Sequence, residues 1–313
     1  RSYSVTGVQT CALPILVIDE IHIFMSSDRG RQILCLIERL NSFIKCDPRR
    51  IGLSATLGDY NQAKSWIKGN SKKDVIAIVS EEKERELLLA VEYFTDSGKK
   101  LDDIEEIIKQ KEISDYYYKS ILNGATEVRK CLIFANSRSE TEEVISNLNR
   151  ISAYQNTEHK FFVHHGSISK ELRLECEKNM RNNDIKCITA ATMTLELGID
   201  IGNLDRIIQL DAPPSVSSFL QRLGRSGRRG NIPEMWFFCK ENNSKKFIKV
   251  YNSIPWDFLQ TIAIIESYLE DNWIEPSIEI KCPFNLLYQQ TMSIIKSHTE
   301  LLPSELAQKV LTL

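Results

Sequence analysis

An α/β protein, built from two doubly wound parallel sheets and then a helical tail, is the fold class that this sequence predicts. Three observations predict it. Short apolar runs alternate with amphipathic helical periods along most of the chain. The polar residues that can carry chemistry fall just after those runs, where parallel strands end and ligands bind. The alternation occurs twice and gives way to helical periodicity from about Ser244.

Leu16-Val17-Ile18 is a compact apolar run ending in Asp19-Glu20, which predicts a buried parallel strand that delivers carboxylates at its tip. Arg29 to Phe43 has Ile33, Leu34, Leu36, Ile37 and Leu40 at helical spacing. Arg50 to Leu53 predicts a second strand, Asn61 to Lys68 a helix, and Val75 to Val79 a further strand. Around Glu81 to Ser97 the chain turns charged and then extended, which predicts a passage between domains. Leu101 to Asn123 reads as a helix.

The second series follows. Cys131 to Phe134, Phe161 to Val163, Lys186 to Ala190, Arg206 to Leu210 and Met235 to Phe238 predict strands. Ser139 to Ile151 and Lys170 to Arg181 predict the helices between them. In the tail, Phe258 to Leu269 and Leu286 to Lys296 are the strongest helices, joined by a loop with Pro276 and Pro283.

The chain has 313 residues, room for about two domains. A formal charge of -2 excludes a uniformly basic coat, though not a local basic groove. Eight cysteines are scattered without a CxxC pair or zinc spacing, which predicts a reduced, cytoplasmic protein whose cysteines pack as small apolar groups. No apolar run approaches the length of a membrane span.

Asp19-Glu20-Ile21-His22 is the central chemical signal. Hydrolysis of ATP needs a carboxylate for Mg²⁺ and a group that positions the attacking water. Adjacent carboxylates divide those tasks, Asp19 on the metal and Glu20 on the water. Taken alone, an acidic pair after a strand is a weak signal and reads more readily as a helix N-cap. Ser54-Ala55-Thr56 stands at a second strand tip, where its hydroxyls can reach the carboxylate pair; alone, it is a capping turn. Gln221-Arg222-Leu223-Gly224-Arg225-Ser226-Gly227-Arg228 is more specific. Arginines three apart are neighbours on a helix face, and such groups disperse charge in phosphoryl transfer. The bland alternative is a solvated basic helix.

Thr192 to Asp200 follows a strand, with hydroxyls and amides suited to a phosphodiester and Asp200 suited to a ribose hydroxyl. Asn136-Ser137-Arg138 and His164-His165-Gly166, at two further strand ends, fit contacts to a single-strand backbone. Ser97-Gly98-Lys99-Lys100 lacks the opening glycine and the Ser/Thr of a phosphate loop. Asp115-Tyr116-Tyr117-Tyr118 suggests base stacking but fits a half-buried element better. No GxxxxGK[ST] exists in the sequence.

Taken in order, these residues resemble motifs II to VI of superfamily 2 DEAD/DEAH-box helicases, over about Leu16 to Cys239. The wording resembles the Lhr-type (large helicase-related) subgroup, through Arg50 to Leu57, His164 to Ser169, Leu195 to Gly202, and Ala212 to Val216 running into Gln221 to Arg225. Ile274-Glu275-Pro276 and Cys282 to Gln290 resemble, more loosely, the opening of that subgroup's winged-helix domain. Arg228 departs from the histidine many such proteins carry there and matches the wider superfamily. Val5 to Ile15 resembles the translation of a short-read sequencing adapter, so native sequence is expected to begin near Leu16.

The resemblance implies tandem RecA-like (P-loop NTPase) domains that clamp ATP and Mg²⁺ and walk 3′ to 5′ on single-stranded DNA, with RNA as the alternative. It implies Asp19 on Mg²⁺ through water, Glu20 on the attacking water, and Arg225 and Arg228 at the γ-phosphate. His22, Ser54, Thr56, Gly198, Asp200 and Gln221 fall around the nucleotide. Asn136, Arg138, His165, Gly166 and Thr192 fall along the strand. The expected divisions are 1–15 non-native, 16–90 the C-terminal half of a first domain, 91–243 the second domain, and 244–313 a partial winged-helix-like domain. With motif I absent, this polypeptide alone is expected to lack ATPase activity.

Overall fold

In the computed structural model, residues 14–79, 86–95, 116–155, 157–196, 201–227, 231–241, 254–278, 284–298 and 300–311 are described. The chain divides into two compact units, one formed by residues 1–80 with 275–313 and the other by 81–274. These divisions differ from the expected passages at 90/91 and 243/244.

In the first unit, β1 (Ile15–Ile18) runs parallel to β2 (Arg49–Gly52), in a register that sets Ile18 beside Gly52. β1 thus begins at Ile15, inside the segment set aside as adapter-like. Between the strands lie α1 (Ile21–Met25) and α2 (Asp28–Ile44). Ser27 starts α2, its Oγ accepting the Gly30 N–H, and Gly30, Leu34 and Ile37 form a buried stripe at helical spacing. α3 (Tyr60–Lys68) is capped by Asp59, whose Oδ1 accepts from Asn61 N at 2.7 Å.

Ile18, Ile21, Met25, Leu34, Ile37, Ala63, Trp66 and Ile67 make this unit's core. The Val75–Val79 strand does not form. Among the described residues this sheet has only β1 and β2, and without a ladder partner residues 74–79 stay irregular, with Ile76 and Ile78 exposed. The tail helix α9 (Phe284–His298) packs on α2, where Arg39 donates to Ser293 Oγ at 2.6 Å and Ser297 Oγ at 3.1 Å. α10 (Pro303–Leu311) packs on α9.

Among the described residues, the second unit holds a six-stranded parallel sheet. Its strands are β3 (Leu88–Thr95), β4 (Lys130–Phe134), β5 (Lys160–His164), β6 (Cys187–Ala191), β7 (Arg206–Leu210) and β8 (Glu234–Glu241), in the order β3-β8-β7-β4-β6-β5. Helix α4 (116–126) and α5 (Arg138–Gln155) cover one face, packing Ile121, Leu122, Val144 and Leu148 against Cys131, Ile133, Ile188 and Ile208. α6 (Lys170–Arg181), α7 (Val216–Leu223) and α8 (Trp256–Leu269) cover the other, packing Met180, Phe219 and Ile264 against Leu132, Phe134, Ile207 and Phe237.

Side chains alternate along β4 between the two cores, so an unbroken apolar run satisfies a sheet buried on both sides. The segment read as an interdomain passage is β3, an edge strand paired with β8 from Leu88↔Glu234 to Thr95↔Glu241. α8, assigned to the tail by its helical period, lies against β8 and α7. Tyr117 and Tyr118 of the tyrosine run are buried in α4. No helix among the described residues is long and apolar enough to cross a membrane.

Candidate functional site

Each unit carries part of the expected constellation. In the first, β1 ends at Ile18 and leaves Asp19 exposed at its tip. Glu20 precedes α1 with φ 52 and ψ 49, a left-handed conformation that costs a residue bearing Cβ about 1–2 kcal/mol. Asp19 Oδ1 accepts the Glu20 N–H at 3.0 Å. Leu53 N donates to Ile18 O and Ile21 N to Leu53 O, which sets Ser54 beside α1.

His22 Nδ1 lies 2.6 Å from Ser54 Oγ and 3.5 Å from Glu20 Oε2. Ser54 Oγ also donates to Thr56 O at 3.1 Å, so its lone pairs receive Nδ1–H and the imidazole carries its proton on Nδ1. Burial lowers the His22 pKa from 6.5, with Asp19 opposing, which favours the neutral ring. The Ser54 hydroxyl thus meets the histidine, whereas the sequence pattern had pointed it at the carboxylates. Thr56 is buried behind it.

In the second unit, β4, β6 and β5 lie side by side, with Phe134 and His164 both in register with Ala191. Their C-terminal ends place Asn136, Thr192 and His165 along one sheet edge. Asn136 donates through Nδ2 to Ala212 O at 3.0 Å, fastening the end of β4 to the segment after β7. Arg138, at the start of α5, donates to Ser167 Oγ beside His165 and Gly166.

His165 is buried; its Nδ1 accepts from Ser167 N at 3.3 Å, so Nε2–H donates to Glu142 Oε1 at 3.0 Å. Gly166 is exposed, and a Cβ there would meet no protein atom within 4 Å. Its lack of a side chain serves no packing in this chain and leaves room for an approaching backbone. His164 is buried against Thr194 Oγ1 (2.9 Å) and Glu177 Oε1 (3.4 Å), and burial holds its pKa below 6.5. Among the described residues no group of three or more His, Cys, Asp or Glu could hold a metal ion.

The arginine segment departs from a simple helix face. α7 ends at Leu223, and Gly224 N turns back to Leu220 O. Arg225 therefore sits in a turn, 8% exposed, with Nε and Nη2 both donating to the Glu196 carbonyl at 3.2 and 2.6 Å. Arg222 is 2% exposed and pairs with Glu196 Oε2 at 3.0 Å; desolvation lowers its pKa and Glu196 opposes the shift. Gln221 Nε2 reaches Ser217 Oγ at 3.4 Å.

Gly227 has φ +68, and a Cβ on it would fall 2.5 Å from Pro233 N. Ser226 ties the turn to β8 by accepting Glu234 N at 3.0 Å. Gly198, Asp200 and Arg228 lie outside the described residues. Glu196 went unnoticed as a site residue in the sequence; its only signal was a carboxylate set between two leucines, Leu195 and Leu197.

The parallel sheet, and the polar residues collected at its C-terminal edge, define the RecA-like C-terminal fold of a superfamily 2 helicase. Residues 113–230 match the helicase conserved C-terminal domain. The ATP-dependent helicase Lhr-Core of Methanocaldococcus jannaschii is 36% identical over 219 residues, which are 68% of this chain and 23% of that protein. The Lhr helicase/uracil glycosylase of Escherichia coli is 28% identical over 325 residues, 92% of this chain and 19% of that one. Among solved structures, the Mycobacterium smegmatis helicase Lhr bound to ssDNA and AMP-PNP aligns with a TM-score of 0.74 and 25% identity, over 96% of this chain and 36% of that chain. Saccharomyces cerevisiae Dbp5, bound to RNA and ADP BeF3, shares the fold at a TM-score of 0.58 and 16% identity, over 91% of this chain and 63% of that chain. The chain belongs to the Lhr-type helicases. It spans about a quarter or less of the length of these two curated relatives, at 23% and 19%.

Proposed function

We propose that this chain is part of the motor of an ATP-dependent helicase that moves 3′ to 5′ on single-stranded DNA and unwinds DNA or RNA–DNA duplexes, with a role in repair. In this reading residues 16–79 are the C-terminal half of the first RecA-like domain, and residues 284–311 open a winged-helix-like domain. The observation that carries the strand-binding part is the line of Asn136, Arg138, His165, Gly166 and Thr192 along one sheet edge. Arg138 uses one N–H on Ser167 and has others for a phosphate. Gly166 lets the sugar-phosphate chain approach. The similar Mycobacterium smegmatis helicase Lhr is bound to ssDNA, which supports DNA over RNA.

The residues fit ATP and Mg²⁺ in part. Asp19 offers one exposed carboxylate, the kind of ligand Mg²⁺ takes when phosphates and water complete its shell. The sequence has no GxxxxGK[ST] to cradle those phosphates. When bound, the nucleotide supplies the phosphoryl group that is transferred. Asp19 would hold the ion through water, Glu20 would orient the attacking water, and Arg225 and Arg228 would neutralise charge at the γ-phosphate. His22 meets Ser54 and lies 3.5 Å from Glu20 Oε2, while Thr56, Gly198, Asp200 and Gln221 would complete the nucleotide's surroundings.

Fluorescence anisotropy of labelled oligonucleotides with this chain tests the strand reading. Tight single-strand binding that weakens with rising salt is expected, and Arg138→Ala should lower the log–log salt slope by about 1. Salt-insensitive binding would sink this placement, and equal preference for RNA would move the substrate to RNA. Phosphate release should stay at background with or without DNA; turnover that depends on Glu20 would overturn that expectation.

A further inference from the structure

Glu196 stands between the strand edge and the arginine turn. It follows the 3₁₀ turn Met193–Leu195, which Thr192 precedes at the tip of β6. Two bonds fix that turn to β5, from Thr192 N to His164 O at 3.4 Å and from Thr194 Oγ1 to His164 O at 3.2 Å. Glu196 is 5% exposed. Oε2 accepts from Arg222 Nε at 3.2 Å and Nη2 at 3.0 Å, and Oε1 accepts from the Ser218 hydroxyl. The Glu196 carbonyl takes both N–H groups of Arg225. Arg222 continues to Gln209 of β7 and lies 4.9 Å from the Phe134 ring centroid.

One buried residue therefore joins three parts: the turn after Thr192, helix α7, and the backbone segment that presents Arg225. A buried ion pair with its remaining valences filled moves as a unit, because breaking any one bond leaves an unpaired buried group. A ligand that stiffens the 193–195 turn must stiffen Glu196, and with it the guanidinium held on its carbonyl. We propose that Glu196 is a positioning residue that transmits occupancy of the strand edge by single-stranded nucleic acid to Arg225. This rests on the strand-binding reading above.

Hydrogen exchange of this 313-residue chain, with and without an oligo-dT strand, tests it. The reporters are the amides of Gly224, Arg225 and Ser226, which bond to Leu220, Arg222 and Leu223 carbonyls at 2.9, 2.9 and 3.0 Å. In the wild type, oligo-dT should slow these amides by about threefold or more. In Glu196→Gln, strand affinity should stay within about threefold while the slowing disappears. Ser218→Ala, a gentler cut at the same carboxylate, should give a partial loss and decides the matter if Glu196→Gln does not fold. A purely structural role would lower the melting temperature and leave the strand-dependent slowing intact. Strand binding that leaves residues 224–226 unchanged in the wild type overturns the inference alone. Failure to bind oligo-dT overturns the strand reading as well.

Discussion

Asp211→Asn should stabilise the second unit at alkaline pH and lose that advantage in acid. Asp211 follows β7 with φ 54, and its Oδ1 accepts the Lys240 N–H at 2.9 Å. Burial, with Glu140 and Asp257 nearby, pushes its pKa from 3.8 to about 7, against the pull of the Lys240 N–H bond. At about 1.4 kcal/mol per tenfold change, that gap corresponds to a ceiling of about 4 kcal/mol. The folded pKa is raised, so the folded state binds more protons than the unfolded one between these values. Stability is therefore fully present below pH 3.8 and lost as pH rises to about 7.

Asparagine keeps the acceptor, tolerates the left-handed backbone and carries no charge. His164, in the same unit, has the opposite sign: with its pKa lowered, stability falls as pH drops through 6.5. The difference between variant and wild type cancels that contribution. Urea unfolding followed by tryptophan fluorescence suits the measurement, because Trp236, Trp256 and Trp273 all lie in this unit. A gain of about 2–4 kcal/mol at pH 8, shrinking to near zero by pH 3.5, is expected. A gain independent of pH, or a loss at pH 8, would refute the burial argument.

Gly166→Ala should leave the melting temperature unchanged, since its Cβ meets nothing, and weaken oligonucleotide binding several-fold in anisotropy. Gly227→Ala should cost at least about 2 kcal/mol in urea unfolding, from a positive φ combined with a clash at Pro233. In nitrogen NMR, His22 should show the Nδ1–H tautomer and titrate below 6.5; a midpoint above that value would contradict its burial against Ser54.

Local pattern made the strands of the second sheet readable. Arg206–Leu210 appears with the bounds that its apolar run suggested, because a strand covered on both faces must be apolar throughout, and helix Lys170–Arg181 appears with the bounds of its helical period. β3 was not readable as a strand of that sheet, because its ladder is formed with β8, which is far away in sequence. α8 followed the helical tail in composition, yet its buried Thr261 and Ile264 belong against the sheet. The arginine motif carried its residue types openly and its geometry not at all. Arg222 is buried by partners at Glu196 and Gln209, and Arg225 by a carbonyl of the same turn. The line of Asn136, His165 and Thr192 was readable as three strand ends; their adjacency came only with the strand order.

The backbone at Glu20 sets stability against chemistry at a single position. Glycine would relax φ 52 and remove a penalty of about 1 kcal/mol, so a screen that selects only for heat resistance should drift toward Glu20→Gly. That drift would delete the acid group beside Asp19. A thermostabilised variant obtained this way would keep its shape and its grip on a strand while discarding the residue proposed to aim water at phosphorus.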